Sequence, residues 1–159
     1  MTIVKQSKRE LAEQAMRRSW FPVARIVDLG TPQKATLLGE KLVVYRDRNG
    51  RVTVQSRRCP HRGGDLSIGE VHDGSIGCPY HGWQFSSTDG ACVRIPSLVD
   101  QGRIPPKAGI ATYPAVEKYG HVWTVLEDPV REMYDLEECA TSTSSGSRRT
   151  RSTRRSASA

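Results

Sequence analysis

The chain has 159 residues, a formal net charge of +7, 36% hydrophobic residues and four cysteines. Residues 141–159 hold five Arg and no acid, and taking those five from the 24 basic residues leaves 19 against 17 acidic, a net of +2, so the body is nearly neutral and a basic nucleic-acid-binding domain is excluded. One domain with ragged ends is expected; no run approaches the roughly 20 apolar residues of a membrane span, and the absence of an apolar leader points to the reducing cytoplasm, where cysteines favour metals or free thiols over disulfides.

Ser7-Lys8-Arg9-Glu10 is a capping box, with a hydroxyl at the N-cap and a carboxylate three residues on. It predicts a short surface helix ending near Arg18, with Leu11, Ala15 and Arg18 on one side, so residues 1–19 form an N-terminal helical segment. Met16-Arg17-Arg18-Ser19-Trp20-Phe21 resembles part of a twin-arginine export signal, but Arg25 and Asp28 interrupt any apolar stretch and remove that reading. Trp20-Phe21-Pro22-Val23-Ala24 is expected to be extended, because the residue before a proline disfavours helix.

Residues 37–46 contain a β-type run. Asp47-Arg48-Asn49-Gly50 is a hairpin turn, since Asn-Gly tolerates positive φ, and residues 51–55 return with period 2. Residues 68–71, 74–77 and 83–85 read as short strands split by glycines. Thr88-Asp89-Gly90 turns the chain into residues 91–95, and a Pro/Gly-rich stretch from Pro96 to Gly109 crosses the surface. Residues 111–113, residues 115–117, a turn at Tyr119-Gly120 and residues 121–126 close with a last hairpin. Many short strands and little helix predict a small all-β antiparallel fold over residues 20–129. Residues 130–159 begin acidic and become a Ser/Thr/Arg-rich tail that is expected to be disordered.

One constellation carries chemistry: Cys59-Pro60-His61-Arg62-Gly63-Gly64 and Cys78-Pro79-Tyr80-His81-Gly82-Trp83. Each short loop brings one thiolate and one imidazole to a common point. A structural zinc site is one reading, but zinc modules pair like ligands within a loop, and Cys-x-His is too tight for the usual knuckle. A Cys59–Cys78 disulfide is a second reading, and ordinary core cysteines with satisfied histidines a third. A [2Fe–2S] cluster in which two His replace two Cys on one iron fits the mixed loops best. Neutral imidazoles leave the oxidised centre uncharged, so it accepts an electron more readily than an all-thiolate centre, already an anion. Gly63, Gly64, Gly77 and Gly82 let the backbone approach the cluster and aim N–H groups at sulfur, while Trp83 could cover one side against water.

These residues, extended through Asp65-Leu66-Ser67 and Gln84-Phe85, closely resemble the Rieske domain of ring-hydroxylating and related non-haem iron oxygenases. Trp20-Phe21-Pro22-Val23-Ala24 resembles the opening of the vanillate demethylase and pheophorbide oxygenase branch, and the resemblance runs over residues 18–128. It implies the Rieske fold with a cluster-binding subdomain of two loops. It also implies one [2Fe–2S] cluster, Cys59 and Cys78 on the buried iron, and His61 and His81 on the outer iron through Nδ1, with the Nε2 edges as the electron exit. Cytochrome bc-type Rieske proteins differ: they carry cysteines at the positions of Gly64 and Tyr80, and a Ser and a Tyr where Trp83 and Phe85 stand. The resemblance therefore implies a low-potential centre fed by an NAD(P)H-dependent reductase or a ferredoxin.

Oxygenases of this type act at a second iron held by two His and a carboxylate. Only His72 and His121 remain, 49 residues apart and without a motif around either, and both are read as surface residues. The expected function is electron transfer to a mononuclear iron in a catalytic domain outside this chain, with no catalytic residue here, as in an oxygenase cut after its first domain. A free-standing Rieske ferredoxin and a zinc-stabilised binding module are the alternatives. Cys92 and Cys139 have no ligand partner at useful spacing and are read as structural or incidental.

Overall fold

A computed structural model describes residues 7–133 and 135. The expected disorder over residues 141–159, and Cys139, lie outside the described residues. Helix α1 (Lys8–Arg17) opens on the capping box: Ser7 N–H donates to Glu10 Oε2 at 2.8 Å, and Glu10 N–H to Ser7 Oγ at 3.3 Å. The helix buries no residue. Its last turn is fastened to the body, where the N–H groups of Leu126 and Glu127 both donate to Arg17 O. Among the described residues no helix is long and apolar enough to cross a membrane.

Eleven short strands follow: β1 (Phe21–Arg25), β2 (Gln33–Leu37), β3 (Glu40–Arg46), β4 (Val52–Ser56), β5 (Glu70–His72), β6 (Ser75–Gly77), β7 (Gln84–Ser86), β8 (Cys92–Arg94), β9 (Thr112–Tyr113), β10 (Ala115–Lys118) and β11 (His121–Thr124). They pair antiparallel in three sheets, ordered β1-β11-β10, β2-β3-β4-β9 and β5-β6-β7-β8. The all-β expectation is met.

The β2-β3-β4-β9 sheet lies in the middle, and β3 shows why. Leu42, Val43, Val44 and Tyr45 are an unbroken apolar run and all four are fully buried. Strand alternation sends Val43 and Tyr45 into one core, with Cys59, Leu66, Ile76, Cys78, Phe85 and Ile110. It sends Leu42 and Val44 into a second core with Leu29, Leu37, Val54, Val122 and Leu126. The first core underlies the two Cys/His loops, and the second packs against β1 and β11.

The turns differ from expectation at two places. The run expected from residue 37 to 46 is two strands, because the chain reverses at Leu38-Gly39, where both residues have positive φ (48° and 86°) and Leu37 pairs with Glu40. At Asp47-Arg48-Asn49-Gly50 only Gly50 takes the left-handed conformation. The buried Asp47 carboxylate anchors that loop by accepting from Arg51 N–H at 2.9 Å. Ile68, expected at the head of a strand, ends a 3-10 turn over Leu66–Ile68 instead, fixed by Asp65 accepting from Ser67 N–H.

Candidate metal centre

Residues 59–64 follow β4, and residues 78–83 join β6 to β7. Both loops are closed by the same pair of hydrogen bonds. In the first, Cys59 N–H donates to Gly64 O and Gly63 N–H to Cys59 O, both at 2.9 Å. In the second, Cys78 N–H donates to Trp83 O at 2.8 Å and Gly82 N–H to Cys78 O at 2.9 Å. The glycine four residues after each cysteine has φ near 70°, at 70° for Gly63 and 68° for Gly82. That conformation costs an L-residue about 1–2 kcal/mol and glycine little. The two loops are thus copies of one turn.

This turn buries the sulfurs and exposes the imidazoles. Cys59 and Cys78 are 3% and 4% exposed, whereas His61 and His81 are exposed. The rings of His61 and His81 lie 4.7 Å apart, centre to centre, at 64°. Trp83 stacks on His61 at 4.6 Å and 4°, while Tyr80 leans on His81 at 4.0 Å. Burial pushes the Cys59 thiol up to about 11, with the neighbouring Cys78 adding to the rise and the N–H groups of His61 and Arg62 opposing it. Those N–H groups aimed at the sulfur are ready partners for a metal-bound thiolate.

The donors are therefore sorted into a buried sulfur pair and an exposed imidazole pair. Among the described residues no three His, Cys, Asp or Glu are arranged to hold a single ion. A two-iron cluster with two thiolates on one iron and two imidazoles on the other suits such a division, and one tetrahedral zinc ion does not. The thiols of Cys59 and Cys78 are free.

The glycines play different parts from those expected. A Cβ on Gly64 would lie 2.8 Å from Cys78 Sγ, so this glycine alone of the four sits against a donor atom. A Cβ on Gly77 would instead meet His72 Nε2 at 2.9 Å, and one on Gly82 would meet Pro96 at 2.9 Å. His72 and His121 are half-buried rather than free on the surface. The His72 ring lies over Gly77, with Nε2 3.4 Å from Gln84 Nε2, and His121 Nδ1 is 2.9 Å from Tyr119 O. Strand packing around Gly77 draws in the His72 ring and a hydrogen bond within the β10–β11 turn holds His121, contacts that one-dimensional spacing does not reveal.

Two supports went unread in the sequence. Asp65, after the first loop, accepts from Ser67 N–H and Oγ and pairs with Lys34 and Arg57 at 3.4 and 3.6 Å. Burial pushes its carboxyl up, but the Ser67 hydrogen bonds and then Arg57 and Lys34 prevail and hold it below the usual carboxylate value. Behind the second loop, Tyr45 Oη donates to Gln55 Oε1 at 2.9 Å and lies 3.1 Å from Ser87 Oγ, and Gln55 Nε2 donates to Ser86 O at 2.6 Å. A hydroxyl among apolar neighbours on a strand gives no sign of its partner across the sheet gap.

A family model described as the Rieske [2Fe-2S] domain matches residues 19–114. The oxygenase subunit of 3-chlorobenzoate-3,4-dioxygenase from Comamonas testosteroni is 41% identical over 114 residues, 70% of this chain and 26% of that protein. The chloroplastic protein TIC 55 of Arabidopsis thaliana is 36% identical over 116 residues, 72% of this chain and 21% of its own length. The structure of NdmA from Pseudomonas putida CBB5 with caffeine superposes with a TM-score of 0.67 at 33% identity, over 72% of this chain and 35% of that one. The chain spans about a quarter of the length of these curated relatives.

Proposed function

The chain belongs to the Rieske [2Fe–2S] domain family, whose cofactor is a Rieske-type [2Fe–2S] cluster, and we propose that Cys59, His61, Cys78 and His81 hold that cluster here. The single observation carrying this assignment is the duplicated loop, which buries two sulfurs side by side and presents two imidazoles together at the surface. When bound, the cluster supplies reversible one-electron transfer. The chain's own residues do the rest. Backbone N–H groups of His61 and Arg62 stabilise charge on the Cys59 sulfur. Trp83 covers one face of the His61 ring and excludes water from it. The exposed edges of His61 and His81 offer the shortest way for an electron to enter or leave.

The oxygenase components among the relatives support an electron-transfer role within an oxygenase system. In this reading the electrons come from an NAD(P)H-dependent reductase or a ferredoxin and go to a mononuclear iron outside residues 7–133. We place the chain in a reducing compartment such as the cytoplasm, where cysteines serve as metal ligands or stay reduced.

Metal analysis combined with EPR of the dithionite-reduced protein tests the assignment. About two irons per chain and the low-average-g signal of a mixed His/Cys [2Fe–2S] centre are expected. One zinc per chain and no reduced-state signal would falsify it. His61→Cys should retain some cluster and lower its potential, because a thiolate adds negative charge that a neutral imidazole lacks. An unchanged potential contradicts His61 as a ligand.

A further inference from the structure

The imidazole of His72 lies beside the root of the second loop and is not one of the proposed ligands. Strands β5, β6 and β7 pair so that Glu70, Gly77 and Gln84 stand side by side across the sheet. Gly77 has no side chain, and the His72 ring takes the space above it: a Cβ there would stand 2.9 Å from His72 Nε2 and 3.5 Å from Cδ2. Both ring nitrogens face a polar group. Nε2 is 3.4 Å from Gln84 Nε2, an amide nitrogen that can only donate, so Nε2 accepts and Nδ1 carries the proton. Nδ1 in turn lies 3.9 Å from Glu70 Oε1. Gly77 leads directly into Cys78, and a recess of about 350 Å³ opens here, with Glu70, His72, Gln84 and Cys78 among its lining residues. Cys78 lines that recess yet is only 4% exposed, and the His72 side chain is 28% exposed.

We propose that His72 seals this recess against water on the Cys78 side and thereby holds down the cluster's reduction potential; the inference rests on the assignment of Cys78 as a ligand. Reduction places a negative charge on a centre that is neutral when oxidised. Water close to a cluster sulfur stabilises that charge, and a ring that excludes water withholds the stabilisation, so the oxidised state is favoured. A ring whose Nε2 accepts a hydrogen bond carries no charge of its own, so His72 acts by exclusion and not as a nearby cation. Truncating it would leave a space bordered by the Gln84 amide and the Glu70 carboxylate, polar and roomy enough for water to enter. The absence of a side chain at Gly77 is what lets the ring lie flush on the strand that carries Cys78. His72 is thus a positioning residue for solvent and takes no electron itself.

The test compares full chains loaded with cluster, poised at the solution potential that half-reduces the parent, with the reduced fraction read from the EPR signal at one fixed pH. His72→Ala should raise the ratio of reduced to oxidised cluster by about threefold or more. His72→Leu fills the recess without a hydrogen bond and should stay within about 1.5-fold of the parent. His121→Ala removes the half-buried imidazole of β11 and should leave the ratio unchanged. If His72→Ala takes up no cluster, Gln84→Ala opens the same recess from β7 and carries the same expectation. An unchanged ratio in the loaded variant overturns the inference. A lower ratio does so too, because the ring would then be a cation that stabilises the reduced cluster. An equal rise in His72→Leu and His72→Ala assigns the effect to the Gln84 hydrogen bond and removes the seal. Failure of both His72→Ala and Gln84→Ala to hold a cluster would make the pair purely structural and overturns it as well. A parent with no reduced-state EPR signal fails the cluster assignment itself, whereas a normal parental signal with an unmoved ratio in the variants removes only the seal.

Discussion

At Gly64 the fold leaves no room for a side chain. A Cβ there would stand 2.8 Å from Cys78 Sγ and 3.5 Å from Tyr80 Cβ, and a sulfur holding iron, as proposed for Cys78, could not swing aside as a free side-chain end would. Gly64→Ala should therefore displace one proposed ligand, costing about 1–3 kcal/mol of overpacking. The iron content of the purified variant should fall to less than half that of the parent. Gly30→Ala is the matching control: nothing lies within 4 Å of its Cβ position, and iron content should not change. Full iron occupancy in Gly64→Ala would mean that the sulfur is not where the structure puts it. At this scale the two loops were the most legible part of the chain, because donor type, glycine and proline all recur within six residues. Trp83 was legible as a cover for one side of the site, but its stacking on His61 emerged only when the loop was folded. The His72–Gly77 contact was not legible at all, since it crosses between β5 and β6.

Among the elements, the β2–β3 hairpin turns on a residue poorly suited to it. Leu38 has φ of 48° and Gly39 φ of 86°, the two-residue turn that favours Asn-Gly. A leucine in the left-handed region costs about 1–2 kcal/mol more than a residue that tolerates it, and Leu38 is 37% exposed, so little packing is lost on replacing it. Leu38→Asn should stabilise the protein by about 1 kcal/mol and raise the melting temperature by roughly 4 °C for a domain of this size. A melting temperature that is unchanged or lower would show that Leu38 contributes packing that offsets its backbone strain. The same leucine explains why β2 was hidden in the sequence. Leu37-Leu38 reads as the start of an apolar strand, and no Asn, Asp or Pro marks the reversal. The opposite error arose at Asn49-Gly50, where a strong turn signal was correct in place but not in geometry. Asp47, buried and accepting from Arg51 N–H, determines that loop more than Asn49 does.

For the molecule as a whole, the decisive feature is that β3 belongs to both cores. Val43 and Tyr45 cannot leave the cluster-side core without moving Leu42 and Val44 out of the other. The Tyr45–Gln55–Ser87 hydrogen bonds add a polar tie, holding the middle sheet to the end of β7. Residues 42–45 were recognisable as a strand from their β-branched, apolar run, but a continuous run cannot say which face meets which sheet. That partition is a property of the assembled layers. It predicts a single cooperative unfolding event in the cluster-loaded protein. Visible absorbance of the cluster and far-UV circular dichroism of the strands should lose half their amplitude at the same temperature in one scan. Tyr45→Phe strands the buried Gln55 and Ser87 polar groups, which costs about 1–3 kcal/mol, and both transitions should move down together. The tie also has a pH signature. Burial pushes Tyr45 up to about 12, whereas an unfolded tyrosine ionises near about 10. Between those values the folded chain holds a proton that the unfolded chain has released, so stability is complete below about pH 10 and falls toward about pH 12. Tyr45→Phe should remove Tyr45's share of that alkaline fall. If the visible transition instead precedes the circular-dichroism transition by many degrees in both proteins, the cluster-side layer unfolds by itself and β3 does not couple the two cores.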